Sequence, residues 1–579
     1  ERHFSKRRNS VRLALVRLTR ASLPGSTPTG MTSVARTFAR HGLQGWAAEA
    51  RFLQGNHSVR SLGAVRRMAR QTHRGWLECR AEQALGRLHQ RQGELPQAIA
   101  WFRRAASVLE AARTQIAPEA LHVAYLSDKL SVYEDLIGAL LARGRKPDVA
   151  EALSVAERAK SRLLLERLAR QEPLTPEASE ARARLARAYR EAHALESVDP
   201  EDPRRFLASG TPLETLEKAW EAALRADELQ RHGAARLAGQ SGVQVHELQN
   251  ALGENETMLV YFSTGNQLGA FVVSRKGTIV QQNLVTLDAL RHSARRLRYH
   301  LQKPERETPL TRLLPGALQG GVDSVLRELF DSLLRPLLPE LKAEKLVIVP
   351  HGPLHGLPLH ALLEGSCPAL ERWEMVTAPS AALWLALTRR APAKTRGVLL
   401  MGVPEPGIAR VTSEVEAIAR NFAEARVETG NRASVKTLQK SVSSLRLLHV
   451  ATHARFRDDN PLFSGLKLTD GWLLARDLYT MELDLDLATL SACQTAQAAV
   501  EPGDEIFGLT RGFLVAGARR VAASLWPADD EATSELMARF YALLPTMTAA
   551  GALREAQRAL RARRPHPYHW AAFTLSGLR

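Results

Sequence analysis

The hydrophobic period of this chain changes near residue 250, and that change constrains the fold more than any other feature. Before it, apolar residues recur every three or four positions in segments rich in Ala, Leu, Arg and Glu, the period of amphipathic helices. After it, short apolar, β-branched runs take over. TMLVYFS (257–263) and LGAFVVS (268–274), joined by Thr264-Gly265-Asn266-Gln267, read as a hairpin. Further strand-like runs are KLVIVP (345–350), GVLLMGV (397–403), LRLLHVAT (445–452), LATLSA (487–492) and RRVAASLW (519–526). Helical patterns separate most of them, notably SEVEAIARNFAEA (413–425), IFGLTRGFLVAG (506–517) and EATSELMARFYALL (531–544). Strand–helix alternation of this kind implies a mostly parallel sheet. The expected fold class is an all-α region followed by an α/β domain with a mostly parallel central sheet.

Within the helical part, Ala84-Leu85-Gly86 with His89, then Gly93, Ala98, Phe102 and Ala105, is close to a tetratricopeptide helix pair. Small residues there let two helices approach, and Phe102 fills the gap. Glycines at 42, 93 and 144 are spaced by 51 twice, which is not the 34-residue period of plain repeats. Three helices per unit and a coincidence of spacing both fit. Residues 1–170 therefore read as irregular, TPR-like helical repeats whose concave face would bind a partner. Residues 171–245 stay helical but are punctuated by Pro173, Pro176, Pro200 and Pro203, as in a helical arm or a solvated linker.

Composition removes several function classes. A chain of 579 residues exceeds one compact core, so two to four domains are expected. Three cysteines, Cys79, Cys367 and Cys493, argue for a reducing, cytoplasmic compartment rather than a disulfide framework. No run of eighteen apolar residues is present to span a bilayer. The opening ERHFSKRRNS has no initiator Met, as in a chain that starts inside a longer protein, and no signal-peptide apolar core. The net charge of +18, with a cluster at Lys6, Arg7, Arg8 and Arg12, fits a nucleic-acid or acidic partner. It also fits a solvated, Arg-rich surface, because no basic motif interleaved with aromatics accompanies it. No Walker-type glycine loop supports nucleotide hydrolysis.

Two strand-like runs end in reactive side chains. LRLLHVAT leads to His453 and LATLSA leads to Cys493, 40 residues later. Sites in open parallel sheets form beyond the carboxyl ends of strands. An imidazole beside a thiol lowers the thiol pKa and can protonate a leaving amine, so the pair fits an acyl-transfer dyad. A cysteine closing an apolar run fits a small buried hydrophobe equally well.

The words around these residues carry more. ATHARF (451–456), NPLFSGLKLTDG (460–471), LSACQT (490–495), the segment from GDEIFGLTRGF to ASLWPADDEAT (503–533) and HPYHWAAFTLSG (566–577) resemble the CHAT family. These are caspase-like peptidase domains, distant relatives of caspases and separases, that commonly follow tetratricopeptide repeats. The likeness covers roughly residues 250–579, and IVPHGPLHGLPLHAL (348–362) is similar to the family's first subdomain. SDKLSVYEDLIGALLARGR and AERAKSRLLLERL resemble repeats that precede such domains. The resemblance implies a caspase-like domain over 246–579, with an N-terminal subdomain at 246–395 and a catalytic subdomain at 396–579.

It also implies a cysteine endopeptidase without a cofactor or metal, with Cys493 as nucleophile and His453 as acid and base. Backbone amides of Ala454 and Cys493 would hold the oxyanion. Many members carry Gly where Ala454 and Ala496 stand, which matters only if a position needs a left-handed φ. Ser491 occupies the place of an acid that shapes the S1 pocket in relatives cutting after basic residues. Asp504 and Glu505 are pocket candidates, whereas Asp529, Asp530 and Glu531 sit where they would complement a helix N-terminus. His351, His355 and His360 read as a turn rather than a zinc site, since Pro353, Gly356 and Pro358 break any helix. His566 and His569 match the family's terminal strand, and Cys367 lacks a strand context.

The expected partners are a protein substrate and a regulatory protein or ribonucleoprotein on the repeats, in bacterial defence or cell-death signalling. No membrane partner is expected, and direct nucleic-acid binding rests on charge alone. The alternatives are a non-enzymatic scaffold with an inactive caspase-like domain, and a nucleic-acid-binding or ribonucleoprotein-binding module.

Overall fold

The computed structural model describes the chain except residues 1–9, 24–26, 56, 114–128, 161–174, 199–206, 209–210, 213–214, 221, 224–225, 227–242, 303–314, 406–407, 458–460, 480, 493–498 and 502–504. Packing divides it into two compact units, Glu1–Ala156 and Glu157–Arg579.

The first unit is helical. Its described helices are α1 (Ser10–Ala21), α2 (Met31–Arg40), α3 (Gln44–Leu53), α4 (Val59–Gln71), α5 (Gly75–Arg91), α6 (Leu95–Arg113), α7 (Ser131–Arg143) and α8 (Lys146–Arg158), the last running past the boundary. Gly42, Gly93 and Gly144 all follow helix ends with φ of 72°, 79° and 70°. A left-handed residue there terminates a helix, and glycine takes that conformation without a Cβ penalty. The stretch from Gly42 to Gly93 holds three helices, α3 to α5. Gly86 lies under Phe102, where a Cβ would come within 2.5 Å of the ring. The small residue and the large one are thus one packing unit, as the sequence suggests. Asp148 is buried at the start of α8 and bonded by Arg143 at 2.7 and 2.8 Å. Those bonds hold its carboxyl well below the usual carboxylate range.

The second unit is built on an 11-stranded sheet. Its strands are β1 (Glu256–Thr264), β2 (Gln267–Ser274), β3 (Gly277–Thr286), β4 (Lys345–Val349), β5 (Glu374–Thr377), β6 (Gly397–Gly402), β7 (Ala425–Thr429) and β8 (Leu445–Ala451). A three-stranded flap of β9 (Ala454–Arg455), β10 (Gly465–Leu468) and β11 (Gly471–Leu474) intervenes. Then come β12 (Leu487–Ser491), β13 (Arg520–Ser524) and β14 (Phe573–Gly577), giving the order β7-β6-β8-β12-β13-β14-β5-β4-β1-β2-β3. Only β13–β14, β1–β2 and β2–β3 pair antiparallel; the other neighbours are parallel. β1 and β2 form the expected hairpin, closed from Thr264 to Gln267 with Gly265 at φ 60°.

β12 is buried at every position, and β8 at all but Arg446, because helices cover both faces of a parallel sheet. Those that bear on the site are α9 (Val411–Ala419), α10 (Leu509–Ala516), α11 (Asp530–Leu543) and α12 (Ala549–Arg563). The run at 506–517 is not one helix: Glu505–Phe507 is extended, and Gly508, at φ 156°, precedes α10. β14 bridges the halves, pairing with β13 from Arg520↔Gly577 to Ser524↔Phe573, and with β5 through Ser576↔Thr377. At the start of the second unit, buried Lys160 donates to the carbonyls of Tyr261 and Pro350, the latter at 3.0 Å. Among the described residues, no helix is long and apolar enough to cross a membrane.

Candidate active site

Three neighbouring parallel strands end on the same edge of the sheet. β6 and β8 run in register to Gly402↔Ala451, and β8 and β12 to Ala451↔Ser491. Pairing continues past the strands, since Val403 donates to the carbonyl of Ala451 (3.0 Å) and Thr452 to that of Ser491 (3.3 Å). His453 follows at once. Cys493 stands two residues beyond Ser491, as His453 stands two beyond Ala451. Cys493 and Asp504 lie outside the described residues, as does Ala496.

The flap fixes His453. Its carbonyl accepts from the Lys467 amide at 2.9 Å, and the Thr452 hydroxyl donates to the Lys467 carbonyl. The imidazole is 33% exposed, with Nε2 3.8 Å from Oε2 of Glu405, on the loop after β6. The Lys467 ammonium, 2.9 Å from both Glu405 oxygens, holds that carboxylate. Ala454 opens β9, and among the described residues only His73 and Asn283 are non-glycine with positive φ. Alanine after the histidine therefore carries no backbone strain.

On the β12 side, the buried Ser524 hydroxyl at the end of β13 donates to the carbonyl of Ala492 at 2.5 Å. Ser491 is itself buried at the strand end. Glu505 pairs through its backbone with Glu501; its side chain lies outside the described residues. Asp529 caps α11, accepting from the Ala532 amide at 2.8 Å. Burial raises the Asp530 carboxyl above its usual range despite the bond from the Arg410 amide, while the hydrogen bond from Arg564 lowers Glu531. These acids are occupied at a helix N-terminus.

Beneath the strand ends lies a polar cluster with no linear signal. His449, fully buried in β8, sits 3.0 Å from Glu414 of α9 and 3.2 Å from the Tyr541 hydroxyl of α11. That hydroxyl donates to Thr489 at 2.8 Å.

The other histidines lie elsewhere. His351 precedes a 3-10 turn at Gly352–Gly356, and His360 lies in another at Leu359–Ala361. His360 is buried, 3.2 Å from Gln557, and burial pushes its pKa down to about 4. His566 caps a short helix, Pro567–Trp570, and precedes the terminal strand instead of lying in it; His569 is within that helix. Proline's fixed φ and missing amide suit a first helical position, which accounts for the difference. Among the described residues, no three His, Cys, Asp or Glu side chains gather as a metal site.

Residues 323–578 match the model of the CHAT domain. Over 137 residues the chain is 36% identical to Tetratricopeptide repeat protein 28 of Mus musculus and 34% to that of Homo sapiens. Each match covers 23% of this chain and 5% of the relative, so the chain spans a small part of these proteins. The structure is similar to that of the Saccharomyces cerevisiae separase–securin complex, with a TM-score of 0.50 and 10% identity. That likeness covers 95% of this chain and 44% of the other and concerns the fold. The sheet-bearing unit thus carries a CHAT domain of caspase-like architecture, joined to an N-terminal helical region.

Proposed function

We propose that the chain is a cysteine endopeptidase whose site is the shared edge of β8 and β12. The observation that carries this reading is the register Ala451↔Ser491, which sets two adjacent parallel strands level where each is two residues from a reactive side chain. The Cys493 thiolate attacks the scissile carbonyl, and the amides of Ala454 and Cys493 receive the oxyanion. His453 protonates the departing amine, then takes a proton from the water that hydrolyses the thioester. Ser491, Asp504 and Glu505 contribute to the substrate pocket. Residues 246–579 form the peptidase part. The helical region takes a regulatory protein or ribonucleoprotein that licenses cleavage, in a cytoplasmic defence or cell-death response.

The test incubates wild type and Cys493→Ala with candidate partner proteins from the genomic neighbourhood, with and without an activating complex. Discrete fragments are expected from wild type alone. Cleavage that persists in Cys493→Ala, or wild-type turnover in His453→Ala, overturns the dyad. A scaffold with an inactive domain predicts partner binding without fragments.

A further inference from the structure

We propose that Glu405 is a positioning residue for His453, a third member of the site supplied by the strand next to β8. The inference rests on the His453–Cys493 reading above.

Three observations converge on it. First, β6 is the neighbour of β8 on the side away from β12, and the two are paired up to Gly402↔Ala451. A side chain three residues past Gly402 is thus delivered beside the imidazole. Second, the Glu405 carboxylate lies 3.8 Å from Nε2, within ion-pair reach of the ring. Third, that carboxylate is held from behind. The Lys467 ammonium touches both of its oxygens, and the Lys467 amide donates to the His453 carbonyl. One residue of the flap therefore sets both the backbone of the histidine and the anion next to its ring. Glu405 and Lys467 are half-buried, at 22% and 15% side-chain exposure, so solvent screens the pair only in part.

The role follows from charge. When the Cys493 thiol passes its proton to His453, a thiolate and an imidazolium form, and an anion beside the ring stabilises the cation. Glu405 touches neither substrate nor sulfur in this scheme; it acts through the histidine. Lys467 offsets part of its charge, so the effect is moderate.

Alkylation of Cys493 by iodoacetamide reads thiolate content without a known substrate, in the full chain, with the Cys493 peptide followed by mass spectrometry. Burial pushes Cys79 up to about 12, which removes it from the background, and exposed Cys367 is resolved by its own peptide. Glu405→Gln is expected to slow Cys493 alkylation about fivefold near pH 7, the scale of one screened charge pair at about 4 Å. Near pH 10, where the thiol ionises unaided, the rates should converge, and Glu405→Asp should recover part of the neutral rate. A Glu405→Gln profile that superimposes on wild type, while His453→Ala does not, overturns the positioning role alone. A fall by one factor at every pH, the mark of a structural defect, overturns it as well. Superposition of the His453→Ala profile removes the dyad itself.

Discussion

His449 and Thr489 are register partners on β8 and β12, and a single hydroxyl, that of Tyr541, contacts both. Tyr541 comes from α11, so a helix on one face of the sheet clamps the two strands that lead to His453 and Cys493. Glu414, from α9, closes the cluster on the other imidazole nitrogen.

Removing that hydroxyl should loosen the pair. Tyr541→Phe keeps the ring and its packing but leaves the buried His449 Nδ1 and Thr489 without it. The expected loss is about 1–2 kcal/mol. A lower denaturation midpoint, with peptidase activity falling alongside, checks it.

Ser524 acts one strand further along. Its hydroxyl donates to the carbonyl immediately before Cys493. Ser524→Ala should cost about 1 kcal/mol in stability. It should reduce turnover more than substrate binding, because the donor sets the backbone next to the proposed nucleophile. Ser524→Thr should restore most of both, measured as kcat and KM once a substrate is in hand.

Ala454 offers a test with the opposite sign. Its φ is not left-handed, so Ala454→Gly relieves no strain and only adds unfolded-state freedom. The variant should lose about 0.5–1 kcal/mol and gain no activity. A rise in turnover would show that the loop needs a conformation denied to alanine.

One buried and one half-buried histidine bear on stability in acid. His360 and His566 are both held down to about 4, chiefly by burial, with His569 and His300 adding repulsion at His566. The unfolded chain binds these protons near pH 6.5, so it carries more protons than the fold between 6.5 and 4. Their contribution is complete above pH 6.5 and shrinks as pH falls towards 4, by up to about 3 kcal/mol for His360. Denaturation midpoints measured across that window should decline, and decline less steeply in His360→Gln.

What the sequence disclosed follows from locality. The switch of period near residue 250, the hairpin at Gly265 and the fit of Phe102 over Gly86 are decided by residues close in the chain or by one repeated spacing. The same holds for His453 standing just past an apolar run. Glu405, Lys467, Ser524 and Tyr541 gave no such signal, because each meets the strand ends only through the packing of the fold. Glu405 lies 48 residues before His453, and Tyr541 lies 92 after His449. Residues 566–569 misled because a short helix opening at Pro567 directly abuts the strand the motif suggests.

The position of β14 has a kinetic consequence. It follows every other strand of the large sheet in the chain, yet it lies between β13 and β5, and the hydroxyls of Thr377 and Ser576, 199 residues apart, meet at 2.9 Å. During synthesis, β1 to β5 and β6 to β13 can each assemble while the join between them is still missing. Closing so distant a contact is slow by nature. A nascent chain would therefore hold its strand pair β8–β12 in half a sheet, unsupported on the β14 side, until residues 573–577 arrive. Under the proposed peptidase function, completing the framework last would hold back cleavage until the sheet is whole.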